Sequence, residues 1–313
     1  MKKYKVLIIG AGNIGAMFDN PESEEILTHA HGFLKSPYFQ LKGFYDVDEK
    51  KAQEAAKRWN TESFSDLETA LKETDVVCCC VPDEFHYDML KQIAEYPVKL
   101  VITEKPLTKT LNEAEEVQKL YQNIPCMVNY SRRFLKEFWE LKEKISGYGH
   151  FLKGNGYYGK GILHNGSHMI DFLGYLFDGI DSYENPENAI CDFYADDSSC
   201  DVKLKIGNGV FRMNSIDCSA ATIFELDLFF EKARVRILDG GVKIETYFVK
   251  ESPTYVGYYN YILEEVKEVD YSNAILGLVE NAANFLEGKE ELKSSIDSAK
   301  RVLELCLSIQ GEL

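Results

Sequence analysis

Three clusters of residues in this 313-residue chain have the types and spacing to carry chemistry. The first is Gly10-Ala11-Gly12-Asn13-Ile14-Gly15, directly after the apolar run Tyr4–Ile9. In such a turn Gly10 permits the tight reversal, Gly12 lets the backbone approach a pyrophosphate, and Gly15 permits close helix–strand packing. The phosphates would then meet unsatisfied N–H groups at the N-terminus of the following helix. The second cluster is Glu104-Lys105-Pro106, at the end of the apolar run Leu100–Thr103. Pro106 restricts the backbone of Lys105 and admits a cis bond between the two. A lysine serves as acid or base once burial or a neighbouring cation brings its pKa toward ~7–8. The third is His164-Asn165-Gly166-Ser167-His168-Met169-Ile170-Asp171, which leads into an apolar helical run. Asn165 or Ser167 is expected to cap that helix, and histidine is a proton-transfer group near neutral pH. A dinucleotide turn, a lysine and a histidine together point to redox chemistry on an alcohol or carbonyl. His164, His168 and Asp171 are also spaced like a metal cluster, but nicotinamide redox needs no metal and none is expected.

The elements that position these clusters divide the chain. In the first half, apolar runs at Tyr4–Ile9, Phe39–Tyr45, Val76–Val81, Leu100–Thr103 and Cys126–Val128 read as strands. Helical spacing over 49–59, 65–72, 84–95 and 112–121 separates them. This alternation predicts a parallel sheet covered on both faces, with ligands beyond the carboxyl ends of its strands. The second half reads as a strand at 151–158, a helix at 167–177, and then strands at 190–194, 202–206, 210–215, 224–230, 233–238 and 242–248. Gly207-Asn208-Gly209 and Asp239-Gly240-Gly241 supply hairpin turns between them. Two helices, 272–286 and 294–309, close the chain. The expected fold is a doubly wound α/β domain over residues 1–127. An α+β domain with a large, mostly antiparallel open sheet follows over 128–313, and the last helices are expected to pack back on the first domain.

Composition narrows the partners. Thirty-five basic against 51 acidic residues give a net charge of −16 without a block of cations, which argues against nucleic acid. No run of ~20 apolar residues occurs, and Val6–Ile9 is too short for a signal peptide, so a cytoplasmic protein is expected. The eight cysteines include Cys78-Cys79-Cys80, whose neighbours on a strand point to opposite faces. They read as buried free thiols, and with no Cys-x-x-Cys pair zinc is not indicated.

Asp46 ends the second predicted strand, where a carboxylate accepts from an adenosine ribose and repels a 2′-phosphate, favouring NAD over NADP. The 31 residues from Gly15 to Asp46 exceed the usual ~20, and the excess falls in the polar segment around residues 20–28. Arg133, Tyr158, Lys160 and Asn165 lie on segments expected to face the cleft, where polar side chains suit a polyol. Tyr255, Tyr258, Tyr259 and Tyr261 read as an aromatic loop for packing or an interface.

Taken in order, Gly10–Gly15, Asp46, Val81-Pro82-Asp83 with His86, Glu104-Lys105-Pro106, Arg132-Arg133-Phe134 and His168-Met169-Ile170-Asp171 resemble the family of glucose–fructose oxidoreductase and inositol 2-dehydrogenase. The resemblance spans nearly the whole chain. It implies a Rossmann domain followed by an α+β domain whose open sheet builds homodimers or homotetramers. It implies Lys105 as catalytic and His168 at the family's histidine position. It also places Gly10, Gly12, Asn13, Ile14, Gly15, Asp46, Pro82, His86, Glu104 and Lys105 around the cofactor, and Lys105, Arg133, Tyr158, Asn165 and His168 around a sugar, cyclitol or nucleotide sugar. Many relatives carry an aspartate four residues before the histidine; this chain has His164 there, so either His164 substitutes in proton relay or Lys105 and His168 act without a third partner. A glycoside hydrolase using tightly held NAD and a non-catalytic dinucleotide-binding regulator are the two other functions compatible with these motifs.

Overall fold

The computed structural model describes residues 3–311. The chain divides into two compact units: residues up to Leu135 with Ser272–Leu303, and Lys136–Tyr271 with the chain from Glu304 onward.

The first unit is built on six parallel strands, β1 (Tyr4–Ile9), β2 (Phe39–Tyr45), β3 (Glu62–Phe64), β4 (Val76–Cys79), β5 (Leu100–Thr103) and β6 (Cys126–Val128), in the order β3-β2-β1-β4-β5-β6. Every residue of β4 and β5 is buried, as a sheet covered on both faces requires. The strand order reverses direction between β1 and β4, so their carboxyl ends, which lead into Gly10 and Cys80, flank the switch point. The helices α1 (His29–Lys35), α2 (Glu49–Trp59), α3 (Leu67–Lys72), α4 (His86–Ile93) and α5 (Leu111–Leu120) alternate with the strands. Thr28, Asp48, Asp66 and Thr110 cap four of them by accepting first-turn N–H groups. The strand β3 was not legible, being only three residues with two of them exposed.

The regular helix expected directly after Gly15 is absent. Asn13–Met17 instead forms one wide turn, with Met17 and Phe18 N–H bonding five residues back to Gly12 and Asn13. The chain then loops through the inserted segment before α1 begins at His29. Asp19 is the reason this loop holds. Its buried carboxylate accepts from Leu27 N (2.7 Å), Thr28 N (3.2 Å) and Thr28 Oγ1 (2.5 Å), and lies 2.9 Å from His31 Nδ1. From the last turn of α2, Arg58 donates to the Met17 and Asp19 carbonyls and Trp59 Nε1 to that of Ala16.

In the second unit α6 (Lys136–Ile145), β7 (Phe151–Tyr158) and α7 (Ser167–Leu176) precede β8 (Ser182–Tyr183), β9 (Glu187–Ile190), β10 (Ser199–Ile206), β11 (Gly209–Ser215), β12 (Phe224–Phe230), β13 (Ala233–Leu238), β14 (Lys243–Glu251) and β15 (Tyr259–Glu268). The sheet runs β15-β14-β13-β12-β7-β11-β10-β8, with β9 paired to β10. Its pairs are antiparallel except β7 with β11. Strict alternation of burial along β12 and β13 shows one covered face. A Cβ on Gly156 of β7 would lie 2.7 Å from Met169 Sδ, so α7 crosses this face closely at that point. Two expectations are corrected. The strand expected at 190–194 ends at Ile190, and residues 191–198 form a polar turn. Tyr259 and Tyr261 are not loop residues but belong to β15. The closing helices α8 (Ala274–Leu286) and α9 (Ile296–Gln310) start two residues later than expected.

Asp19→Ala is expected to lower unfolding free energy by about 2–4 kcal/mol, since it leaves several buried donors unpaired. Chemical denaturation followed by circular dichroism measures it; an unchanged midpoint would mean the insertion is held otherwise.

Candidate active site

At the switch point, Gly10 has φ +93, and a Cβ there would lie 2.6 Å from the Cys80 carbonyl carbon. A Cβ on Gly15 would lie 2.4 Å from Gly10 O. Both positions are closed to any side chain. Gly12 differs: its Cβ would meet nothing within 4 Å, so the turn has open space in front of it. Asp46 sits against the same turn. Its Oδ2 accepts from Ala11 N at 2.8 Å, and its Oδ1 accepts from Asp48 N at 2.9 Å. A turn sealed at Gly10 and Gly15, open at Gly12 and flanked by a carboxylate fits a dinucleotide.

The loops leaving β4 and β5 are tied together by histidines. His86 is buried at the start of α4, with Nδ1 2.6 Å from Pro106 O and Nε2 3.0 Å from Val81 O. It therefore braces the ends of the two loops, and Pro82 begins the short turn that delivers it. Glu104 Oε1 lies 2.7 Å from His29 Nε2 and accepts from Asn129 Nδ2 at 2.8 Å. Burial alone would raise the Glu104 carboxyl. The hydrogen bond and charge of His29, with the Asn129 amide and Lys105, carry it below the usual carboxylate range instead. Lys105 is half-buried beside it, joined to Pro106 by a cis bond. Arg133 is buried, and its Nη1 donates to Lys293 O at 2.9 Å, anchoring the 131–134 turn.

In the second unit, the residues before α7 form another wide turn, Gly161–Gly166, which contains His164. The polar turn at 191–198 holds it in place. Asp197 accepts from Leu163 N (3.0 Å), His164 N (2.9 Å) and Gln310 Nε2 (2.7 Å), and its Oδ2 lies 2.7 Å from His164 Nδ1. Its side chain is 2% exposed against 34% for His164, so the carboxylate is buried and the imidazole reaches solvent. Tyr194 stacks on the imidazole with ring centroids 3.8 Å apart. Asp192 accepts from Lys160 N and Cys218 N. Burial would raise its carboxyl, but these backbone donors and Ser199 lower it. His168 is half-buried in the first turn of α7, and Asp171 is buried one turn on.

Neither expected cap forms. Asn165 Nδ2 donates to Gly159 O at 3.0 Å, and Ser167 Oγ donates back to His164 O. Tyr158 is also corrected as a substrate contact. It is 0% exposed, its hydroxyl donating to Cys200 O (2.7 Å) and accepting from Cys200 N (2.9 Å), and burial holds its pKa far above the ordinary value. Asp197 was missed entirely: it lies 33 residues beyond His164, between the strands expected at 190–194 and 202–206.

Fold and glycine turn define the first unit as an NAD-binding Rossmann domain. Residues 4–131 match the model described as oxidoreductase family, NAD-binding Rossmann fold. No curated protein matches the chain at significance. Solved structures resemble it throughout. UDP-N-acetylglucosamine 3-dehydrogenase of Acidithiobacillus ferrooxidans has a TM-score of 0.80 at 15% identity, covering 100% of this chain and 98% of that one. A putative myo-inositol dehydrogenase of Sinorhizobium meliloti has 0.76 at 16%, covering 99% and 97%. A super-repressor mutant of Gal80p from Saccharomyces cerevisiae has 0.78 at 16%, covering 99% and 96%. At these identities the likeness shows the fold. No helix among the described residues is long and apolar enough to cross a membrane.

Gly12→Val is expected to leave the unfolding midpoint unchanged while weakening NAD binding at least tenfold, ~1.4 kcal/mol or more by calorimetry. Gly10→Ala should instead destabilise the fold by about 2–4 kcal/mol through backbone strain and overlap.

Proposed function

We propose that this oxidoreductase moves a hydride between NAD and a secondary hydroxyl or ketone of a sugar, cyclitol or nucleotide sugar. The observation that carries the reading is the His164–Asp197 pair. A solvent-reaching imidazole whose Nδ1 faces a buried carboxylate is held as one tautomer, with Nε2 as the basic nitrogen. In this reading His164 Nε2 takes the proton of the hydroxyl, and Asp197 stabilises the imidazolium that results. His168, one turn on, orients the hydroxyl. Lys105, beside the ionised Glu104, stabilises negative charge on the substrate oxygen. Gly10, Gly12, Asn13, Ile14, Gly15 and Asp46 hold the pyrophosphate and ribose, with Pro82 and His86 shaping the adjoining loop. Bound nicotinamide supplies the hydride acceptor. Asn165 and Lys160, on the same turn as His164, are polar groups suited to a polyol. The sugar and inositol dehydrogenases among the structural neighbours support that substrate class.

A homo-oligomer formed through the second sheet is part of this proposal. Strand β15 is an edge strand whose Tyr259, Ile262, Leu263 and Val266 are exposed, an apolar surface of the kind that a second copy covers. A regulator that binds NAD without turnover is the second reading, favoured by the Gal80p neighbour.

Absorbance of reduced nicotinamide, followed with NAD and a panel of sugars, inositols and nucleotide sugars, tests the assignment. Lys105→Ala and Asp197→Asn are each expected to lower kcat by roughly 10²–10⁴-fold, with NAD affinity nearly unchanged. Turnover equal to wild type in Lys105→Ala would remove that residue from the mechanism. Silence across the panel with NAD bound would favour the regulator.

A further inference from the structure

Beneath the Glu104–Lys105 loop lies a cluster that the proposed chemistry does not use. Cys78 and Cys80, two residues apart on and just after β4, point to the same face of the sheet with their Sγ atoms 3.6 Å apart. One ring nitrogen of His29 and these two sulfurs all lie within 4.8 Å of one another. Exposures are 0% for Cys78 and His29 and 7% for Cys80. His29 Nε2 is occupied by Glu104, while Nδ1 is buried with no hydrogen-bond partner among the described residues, which is costly for a polar atom.

We propose that Cys78, Cys80 and His29 Nδ1 form a binding site for a thiophilic divalent ion of the zinc class. The sulfur spacing is already near that of a bound ion, since two thiolates at ~2.3 Å from a tetrahedral centre sit about 3.8 Å apart. The far side of the His29 ring is already arranged as it is in metal-bound histidines, with Nε2 directed at a carboxylate that fixes the tautomer and raises ligand basicity. Soft sulfur ligands select zinc over magnesium or calcium. Two cysteines and one histidine leave a fourth position for an exogenous ligand. Binding releases the two thiol protons and the Nδ1 proton of His29, whose imidazole is charged beside Glu104, and involves no change of oxidation state. Through His29 the ion is then joined to Glu104, the residue preceding Lys105. The pattern escapes a search for Cys-x-x-Cys because the two ligands share a strand face at a spacing of two, and the third lies 49 residues earlier.

The test uses the full chain, purified under reducing conditions without chelator, then stripped and titrated with Co²⁺ as a spectroscopic stand-in for Zn²⁺. One ion per chain is expected, with a thiolate-to-metal charge-transfer band that Zn²⁺ abolishes. Cys78→Ser/Cys80→Ser is expected to lose the band, whereas Cys79→Ser, altered on the opposite strand face, keeps it. X-ray absorption on the wild-type complex covers the case in which the double variant does not fold; it must show two sulfur neighbours and a nitrogen neighbour. Absence of a thiolate band in folded wild-type protein, a band that survives the double variant, or a shell without two sulfurs would overturn the site.

Discussion

Much of the local order in this protein depends on buried carboxylates that accept backbone N–H groups where a helix ought to begin. A regular helix start leaves four donors to be satisfied, and a wide turn adds irregular ones. Asp197 answers this need around Gly161–Gly166, and Asp19 does so where the inserted segment rejoins α1. Each carboxylate also reaches a histidine ring, His164 in one unit and His31 in the other. Backbone order and imidazole orientation are thus set by one group. Removing it would cost both together, which is why neither aspartate can be read as merely structural or merely functional.

The ends of the parallel strands show a related economy. The loops after β4 and β5 lie outside the regular elements, and the second contains Lys105, the residue proposed as catalytic. They are tied to the rest of the unit by His86 and His29, each bridging to a loop from a different element. Neither imidazole is offered to solvent. Their contribution is to make Glu104 and Pro106, on either side of Lys105, fixed points. A residue flanked by two fixed neighbours spends less conformational entropy in reaching its working geometry.

How much of this was legible in the sequence follows from the range of the interactions involved. Strands β1, β2, β4, β5 and β6 were readable because burial on both faces writes itself as an apolar run. The glycine turn was readable because its constraints are local: Gly10 needs its φ and Gly15 its close approach. Local pattern failed where a distant side chain decides the outcome. Residues 190–194 look like a strand, yet the pairing stops at Ile190, and Asp192 accepts from Lys160 N and Cys218 N instead. Tyr158 has the polarity of a ligand contact, but its hydroxyl is consumed by Cys200, 42 residues away. Nothing near His29 in the sequence marks it, because its partner Glu104 lies 75 residues on and only the fold brings it to the ring.

The distribution of thiols has a practical side. Seven of the eight cysteines are buried and Cys191 alone is exposed. It begins the 191–198 turn, next to Asp192 and six residues before Asp197. In the native chain, therefore, a maleimide fluorophore or spin label would attach at a single place without any engineering. That place is on the segment whose two carboxylates hold the His164 loop, giving a built-in handle for watching the loop's motion as ligands arrive.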